Sequence, residues 1–239
     1  MATARAGNAV GTRAPKIAFG FHTFAITDNF KLLAIIKHKG AKPEKKSAGA
    51  KPQTMKAIRI HNYGGPEVLQ YEDAPRPKPQ ASEVLVRVHA VGVNPIDWKV
   101  REGHMKDLWP HKFPLTLGWD LSGVVEEVGT GPAAGGRFKK GDEVYSEPDA
   151  SRDGAYAEYI VVRERELALK PMSLHQVHAA AVPLAALTAW QALFDAGQLV
   201  SGQRVLIHGG SGGVGHFVDL IAKSEQPYTT LRRTTLPYP

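Results

Sequence analysis

The chain has no cysteine among its 239 residues. That excludes disulfides, thiol nucleophiles and any zinc site built on thiolates. It is compatible with a reducing compartment, and the compartment expected is the cytoplasm. Long apolar runs are also missing. No uninterrupted stretch reaches the ~18–20 residues needed to cross a bilayer, so no membrane partner is expected. No internal repeat is visible. Acidic residues are scarce in one part only: residues 1–55 hold ten Lys/Arg against two Asp/Glu, an excess of eight positive charges. The remainder holds 20 basic and 21 acidic residues and is close to neutral. The formal charge of +7 therefore belongs to an N-terminal arm, and a nucleic-acid partner is not expected for the body of the chain.

Residues 1–54 read as a basic, flexible extension. Its second half, from Lys37 to Pro52, has too few apolar residues to pack. Its first half places Arg5, Arg13 and Lys16 before the first acid, Asp28, which weakly resembles an organelle transit segment and leaves organelle targeting as the alternative compartment. The arm can also be translated sequence lying upstream of a start at Met55.

From Met55 the patterning is of short strands. Lys56–Ile60 alternates and runs into the turn Asn62-Tyr63-Gly64-Gly65-Pro66. Val68–Glu72, Glu83–Val93, Gly118–Val128, Glu143–Tyr145 and Ala155–Val162 follow as further strands, with Pro75, Pro77 and Pro79 making an extended connector. Such a run of short strands points to a compact β-barrel over residues 55–173. The pattern then changes. Ala179–Leu193 is rich in alanine and leucine, with Pro183 near the start of a helix.

The densest chemical signal is Arg204-Val205-Leu206-Ile207-His208-Gly209-Gly210-Ser211-Gly212-Gly213-Val214-Gly215. An apolar strand enters a glycine loop, and helical spacing of Phe217, Leu220 and Ile221 leaves it. Gly210-x-Gly212-x-x-Gly215 fits the dinucleotide fingerprint in the context that fingerprint requires. Glycine permits the tight turn and lets backbone amides approach a pyrophosphate, while the helix N-terminus adds partial positive charge. The candidate cofactor residues are Gly210, Ser211, Gly212, Gly213, Val214 and Gly215. A plain glycine turn is the competing reading.

The order of parts resembles a known family. Met55-Lys56-Ala57-Ile58 with Tyr63-Gly64-Gly65-Pro66-Glu67-Val68-Leu69 is similar to the opening of the quinone oxidoreductase (zeta-crystallin-like) branch of the medium-chain dehydrogenase/reductases. Further blocks agree in order: Asn94-Pro95-Ile96-Asp97-Trp98-Lys99, Gly118-Trp119-Asp120-Leu121-Ser122-Gly123, Gly141-Asp142-Glu143-Val144, Gly154-Ala155-Tyr156-Ala157-Glu158-Tyr159, and Pro183–Leu193. The resemblance covers roughly 55–223. It implies a mixed α and β architecture: a GroES-like β-barrel catalytic domain over 55–173, then an incomplete Rossmann-type domain over 174–239, with a cleft between them.

It also implies a zinc-independent reductase using NADPH on quinones or α,β-unsaturated carbonyl compounds. Where zinc-dependent relatives carry a ligating cysteine, this chain resembles them with Asn94. Where they carry Gly-His-Glu, it reads Gly118-Trp119-Asp120, and tryptophan cannot ligate zinc. His104 and His111 make no recognised ligand pair, so no metal is expected.

The catalytic candidates are Asn94, Asp97 and Lys99. Asn94 either offers its amide donor to a carbonyl or merely turns the chain before Pro95. Asp97 either accepts from a ribose hydroxyl or caps a short helix over Trp98–Arg101. Lys99 either donates to a substrate oxygen or is solvated. Asp120 takes the acidic position of the zinc enzymes or braces the barrel. Thr188 resembles a position near the nicotinamide, though a helical threonine often bonds its own backbone.

The tail from Ser224 holds no convincing βα unit, and the two arginines Arg232 and Arg233 are more plausible as loose tail than as a 2′-phosphate clamp. The chain reads as a truncated or frame-shifted product with little activity of its own. A homodimer is implied only for a complete Rossmann sheet. Two other functions stay open: reduction of enoyl thioesters, and a non-catalytic module whose basic arm contacts RNA or other polyanions.

Overall fold

The computed structural model describes residues 53–130, 136–225 and 232–234. The basic arm lies outside the described residues.

Ten strands and four α-helices are present among them. β1 (Thr54–Ile60) forms an antiparallel hairpin with β2 (Gln70–Pro75), and its other edge pairs with the two-residue β4 (Leu115–Thr116). A second sheet runs in the order β7 (Tyr159–Arg163), β3 (Glu83–Val91), β5 (Leu121–Val128), β6 (Glu143–Ser146), β8 (Leu167–Leu169), with every pairing antiparallel. The segment before β7 stitches the two sheets together. Ile58 N–H donates to Tyr156 O at 2.7 Å, and Glu158 N–H donates to Lys56 O at 3.0 Å. The result is the expected barrel.

Two strand expectations shift. The first strand after the Gly-Gly-Pro turn begins at Gln70, because Pro66–Val68 closes a 3-10 turn instead. Of the expected strand over Ala155–Val162, only the part from Tyr159 joins the ladder, apart from a lone Ala57–Ala157 bridge.

The core follows the alternation. Val84, Val86, Leu121, Val125, Val144, Ile160 and Val162 fill one cluster, and Ile60, Val100, Leu115, Leu117 and Trp119 fill a second. Trp119 is fully enclosed, and its indole N–H donates to Arg152 O at 3.0 Å, as a buried ring nitrogen must.

The helical part is α2 (Gln176–Ala179), α3 (Pro183–Trp190) and a π-helical turn over Gln191–Ala196. Pro183 opens α3 at its first turn, where a missing N–H costs nothing. Here an expectation is corrected. The stretch Gln176–Ala196 is 21 residues long, and its most apolar 18-residue window has a mean hydropathy of 1.4, so by length and composition it is long and apolar enough to cross a membrane. Scattered polar residues hide this in a search for unbroken runs. In this fold Ala179, Ala180, Ala185, Ala189 and Leu193 are buried, and Ser122 Oγ donates to Gln176 O at 2.6 Å, tying α2 to the barrel.

After it, β9 (Leu206–His208) leads through the glycine loop into α4 (Gly213–Glu225). A further correction concerns the tail. β10 (Arg232–Thr234) pairs parallel with β9, Arg233 opposite Ile207, so the tail completes one β-α-β unit. Three residues are too few to carry a strand signature in sequence. Leu220 is 48% exposed, and the buried positions of α4 are Asp219 and Ala222. The expected apolar face of Phe217, Leu220 and Ile221 is thus turned partly outward, because a close-packed glycine at position 215 brings the small-residue face of the helix inward.

Candidate active site

Helix α1 (Pro95–Arg101) begins where β3 ends. Pro95 presets its first turn, and Asp97 closes the cap: its Oδ2 accepts from Asn94 N–H at 2.7 Å. The helix thus spans more than Trp98–Arg101. The same Oδ2 accepts from Tyr156 O–H at 2.9 Å. Asp97 is 4% exposed, and its Oδ1 has no hydrogen-bond partner among the described residues. Burial outweighs the two donated hydrogen bonds and pushes its carboxyl up to about 6. Burial chiefly, then the Asp97 charge and hydrogen bond, raise the Tyr156 phenol in turn.

Tyr156 is held by backbone on both sides, and its ring lies over Gly118. A Cβ on Gly118 would sit 2.3 Å from the ring, and φ there is +92°. The glycine is therefore a seat for the aromatic ring.

These groups line a cleft of about 300 Å³ with Ile58, Leu69, Val91, Val93, Trp98, Arg101 and Leu117. Its walls are mostly apolar and its polar atoms few, the usual make-up of a small-molecule site. Asn94 and Asp97 both belong to it. Lys99 is not among the lining residues; its ammonium sits 5.8 Å from the Trp98 ring centroid. Asn94 does not point its amide donor freely into the cleft. Its Nδ2 donates to Asp120 Oδ2 at 3.0 Å. Asp120 is buried, and burial, with Glu147 and Asp97 nearby, raises its carboxyl to about 7 against the bonds it accepts from Asn94 and Leu184.

The sequence reading gave Tyr156 no role. Its only signal was its place in the Gly-Ala-Tyr-Ala block, and the bond to Asp97 spans 59 positions.

The glycine loop has the geometry of a phosphate cradle. Gly209 takes φ +68°, so the left-handed turn falls one residue ahead of the Gly210 assigned from the motif. Gly212 N–H closes it on Gly209 O at 2.9 Å. A Cβ on Gly215 would come within 2.2 Å of Gly209 O, so only glycine lets α4 approach the turn. Around Gly213 a Cβ meets nothing within 4 Å, which leaves the mouth of the helix open. Ser211, Gly213 and Val214 stand at that mouth, where the opening amides of a helix lack intrahelical acceptors. The residues fit a dinucleotide diphosphate. Thr188 donates its Oγ1 to Leu184 O at 2.7 Å, bonding its own helix. Among the described residues no cluster of three or more His, Asp or Glu is placed to hold a metal ion.

The alcohol dehydrogenase GroES-like domain family matches residues 80–172, most of the barrel. A chloroplastic quinone-oxidoreductase homolog of Spinacia oleracea is 38% identical over 182 residues, which cover 74% of this chain and 54% of that protein. Over these residues the chain is similar to quinone oxidoreductases of the medium-chain dehydrogenase/reductase family. It spans about half the length of the curated relatives it matches. Among solved members of this group, the quinone oxidoreductase of Coxiella burnetii shares the fold with a TM-score of 0.67 and 35% identity, over 77% of this chain and 57% of that one. A mycobacterial relative complexed with NADPH gives a TM-score of 0.62 and 35% identity, over 75% of this chain and 50% of that one.

Proposed function

We propose that this chain carries the catalytic barrel (55–173) and the first part of the nucleotide-binding domain (174–239) of a zinc-independent, NADPH-dependent reductase of quinones or α,β-unsaturated carbonyl compounds. The observation that carries the reading is the apolar cleft in which Asn94, Asp97 and Tyr156 meet, in a chain whose glycine loop fits a diphosphate. The loop amides from Gly210 to Gly215 would hold that diphosphate. When bound, the dinucleotide would supply hydride to the acceptor.

The chain's own residues do the rest. Leu69, Val93, Trp98 and Leu117 exclude water and suit a flat, apolar acceptor. Asp97 fixes the entry of α1 and orients the Tyr156 hydroxyl. The proton returned to the reduced acceptor would come from solvent or a hydroxyl. The core position of Trp119 and the engagement of Asp120 with Asn94 favour chemistry without zinc, since neither is free to ligate. The mycobacterial relative complexed with NADPH supports NADPH as the cofactor. The compartment proposed is the cytoplasm, although the matched relative of Spinacia oleracea is named as chloroplastic.

The test is direct. NADPH is titrated into the full chain by calorimetry, then nicotinamide absorbance is followed with 1,4-benzoquinone, a simple enone and an enoyl thioester. Binding with oxidation by benzoquinone or enone is the expected result. Preference for the thioester would move the assignment to the enoyl reductases. Absence of NADPH binding, with RNA binding that depends on residues 1–54, would replace it by a polyanion-binding module.

A further inference from the structure

A second hollow of about 40 Å³ adjoins the cleft, and Ile58, Val91 and Tyr156 line both. Backbone pairing fixes this partition. Ile58 N–H donates to Tyr156 O, and Ala57 and Ala157 form a lone bridge beside it. The Tyr156 hydroxyl is already committed to Asp97, so the partition offers a passing group mainly hydrocarbon. Beyond it lie Val88, Ala90 and Tyr71. Tyr71 stands opposite Ile58 in the β1–β2 register and is 67% exposed, so it marks the solvent side of the hollow. The charged groups here already have partners. Lys56 Nζ pairs with Asp73 at 2.9 Å, and Glu158 Oε2 accepts from the Lys56 backbone N–H at 2.8 Å. Burial, then Arg87, disfavours a charge on His89. A single water needs about 10–15 Å³, so the space suits a chain of roughly three carbons.

We propose that the hollow is a substituent subsite: the ring of the acceptor occupies the cleft, and a neutral alkyl group of about three carbons on that ring passes between Ile58 and Val91, beside Tyr156, to fill the smaller space. This rests on the reading of the cleft as the substrate pocket, and it narrows the acceptor class to alkyl-substituted quinones or enones. Each methylene taken out of water gains about fourfold in affinity. The gain ends where the hollow does, since later carbons emerge past Tyr71 into solvent. A carboxylate on the chain would lose hydration and find Lys56 already paired, so charge is selected against.

The test uses the full chain and 2-alkyl-1,4-hydroquinones, which bind without being reduced. Calorimetry gives the affinity of the unsubstituted, methyl, ethyl, propyl and hexyl compounds, and of a 2-carboxyethyl analogue. Alanine methyl and tryptophan indole resonances report where each compound sits. Affinity is expected to rise about fourfold per carbon to propyl and then to level. The Trp98 indole should respond to every compound, and the Ala90 methyl only to the substituted ones. Ala90→Leu fills the hollow and should reduce the preference for propyl over the unsubstituted compound from about 60-fold to near unity. If that variant does not fold, the chain-length series in the unaltered chain decides alone. Affinity flat to propyl, a gain that continues unchanged to hexyl, or a carboxyethyl compound that gains as much as propyl overturns the proposal. Those results leave the reductase reading intact while the Trp98 indole responds. A Trp98 indole that ignores every compound removes both. A chain that oxidises no NADPH yet grades the alkyl series keeps the subsite and loses the reductase reading.

Discussion

The barrel and the β-α-β unit of this chain are built on different terms. The barrel closes two sheets around large side chains, with Trp119, Leu85, Leu117 and Leu121 enclosed. The β-α-β unit has two three-residue strands, and its α4 buries an aspartate and an alanine while Leu220 and Leu206 stay about half exposed. One region is held by apolar area, the other by backbone fit at glycines. Core substitutions should therefore cost the first region stability, and single added carbons should cost the second its shape.

The largest effect should come from Trp119→Ala. It empties the centre of a core cluster and leaves Arg152 O without its donor, so unfolding stability should fall by about 3–5 kcal/mol in urea titration. A smaller loss would mean that the barrel is less tightly packed than its burial indicates.

Gly215→Ala comes next. The added methyl meets backbone, not a flexible side chain, and should cost about 1–3 kcal/mol locally, with NADPH affinity lost and the barrel's unfolding midpoint unchanged. Gly213→Ala is its control. The site is open, the residue is helical, and local stability should rise by about 0.5–1 kcal/mol, read from hydrogen exchange along α4.

The barrel also carries a pH signature. Asp97 and Asp120 bind protons more tightly folded than unfolded, at about 6 and about 7 against an ordinary 3.8. Their contribution is fully present below the unfolded value and is lost as pH rises through the folded values. Barrel stability should thus decline between about pH 4 and pH 8, by an amount on the order of several kcal/mol. Asp120→Asn should flatten the upper part of that decline in denaturant midpoints measured across pH. A barrel that gains stability over this range would contradict the burial of both groups.

Leu220→Gln should do least. At 48% exposure the side chain contributes little, and a change within about 0.5 kcal/mol is expected. A larger loss would reveal a partner surface over α4.

Much of this fold was legible because it rests on local rules. Alternation marked β3, β5 and β6, Pro95 marked the start of α1, and the glycine run marked the turn into α4. Other features escaped for identifiable reasons. Gly209 rather than Gly210 takes the left-handed turn, because adjacent glycines are equivalent in sequence and only the backbone path separates them. β10 has three residues and depends wholly on its partner β9. The stretch Gln176–Ala196 was too interrupted to count as a continuous apolar run, yet the average over its most apolar 18 residues is high. Lys99 shares a helix with Asp97 but not the cleft, since two residues along a helix turn the side chain well away from its neighbour's direction.

The sequence by itself determined the family resemblance, most of the barrel's strands and the glycine turn into α4, because turns, caps and alternation act over a few residues. Only the tertiary structure decided that Tyr156 meets Asp97 and that Asp120 takes the donor end of Asn94. Those contacts join positions 59 and 26 apart, and no local preference encodes a hydrogen bond between groups that only the closed barrel brings within 3 Å.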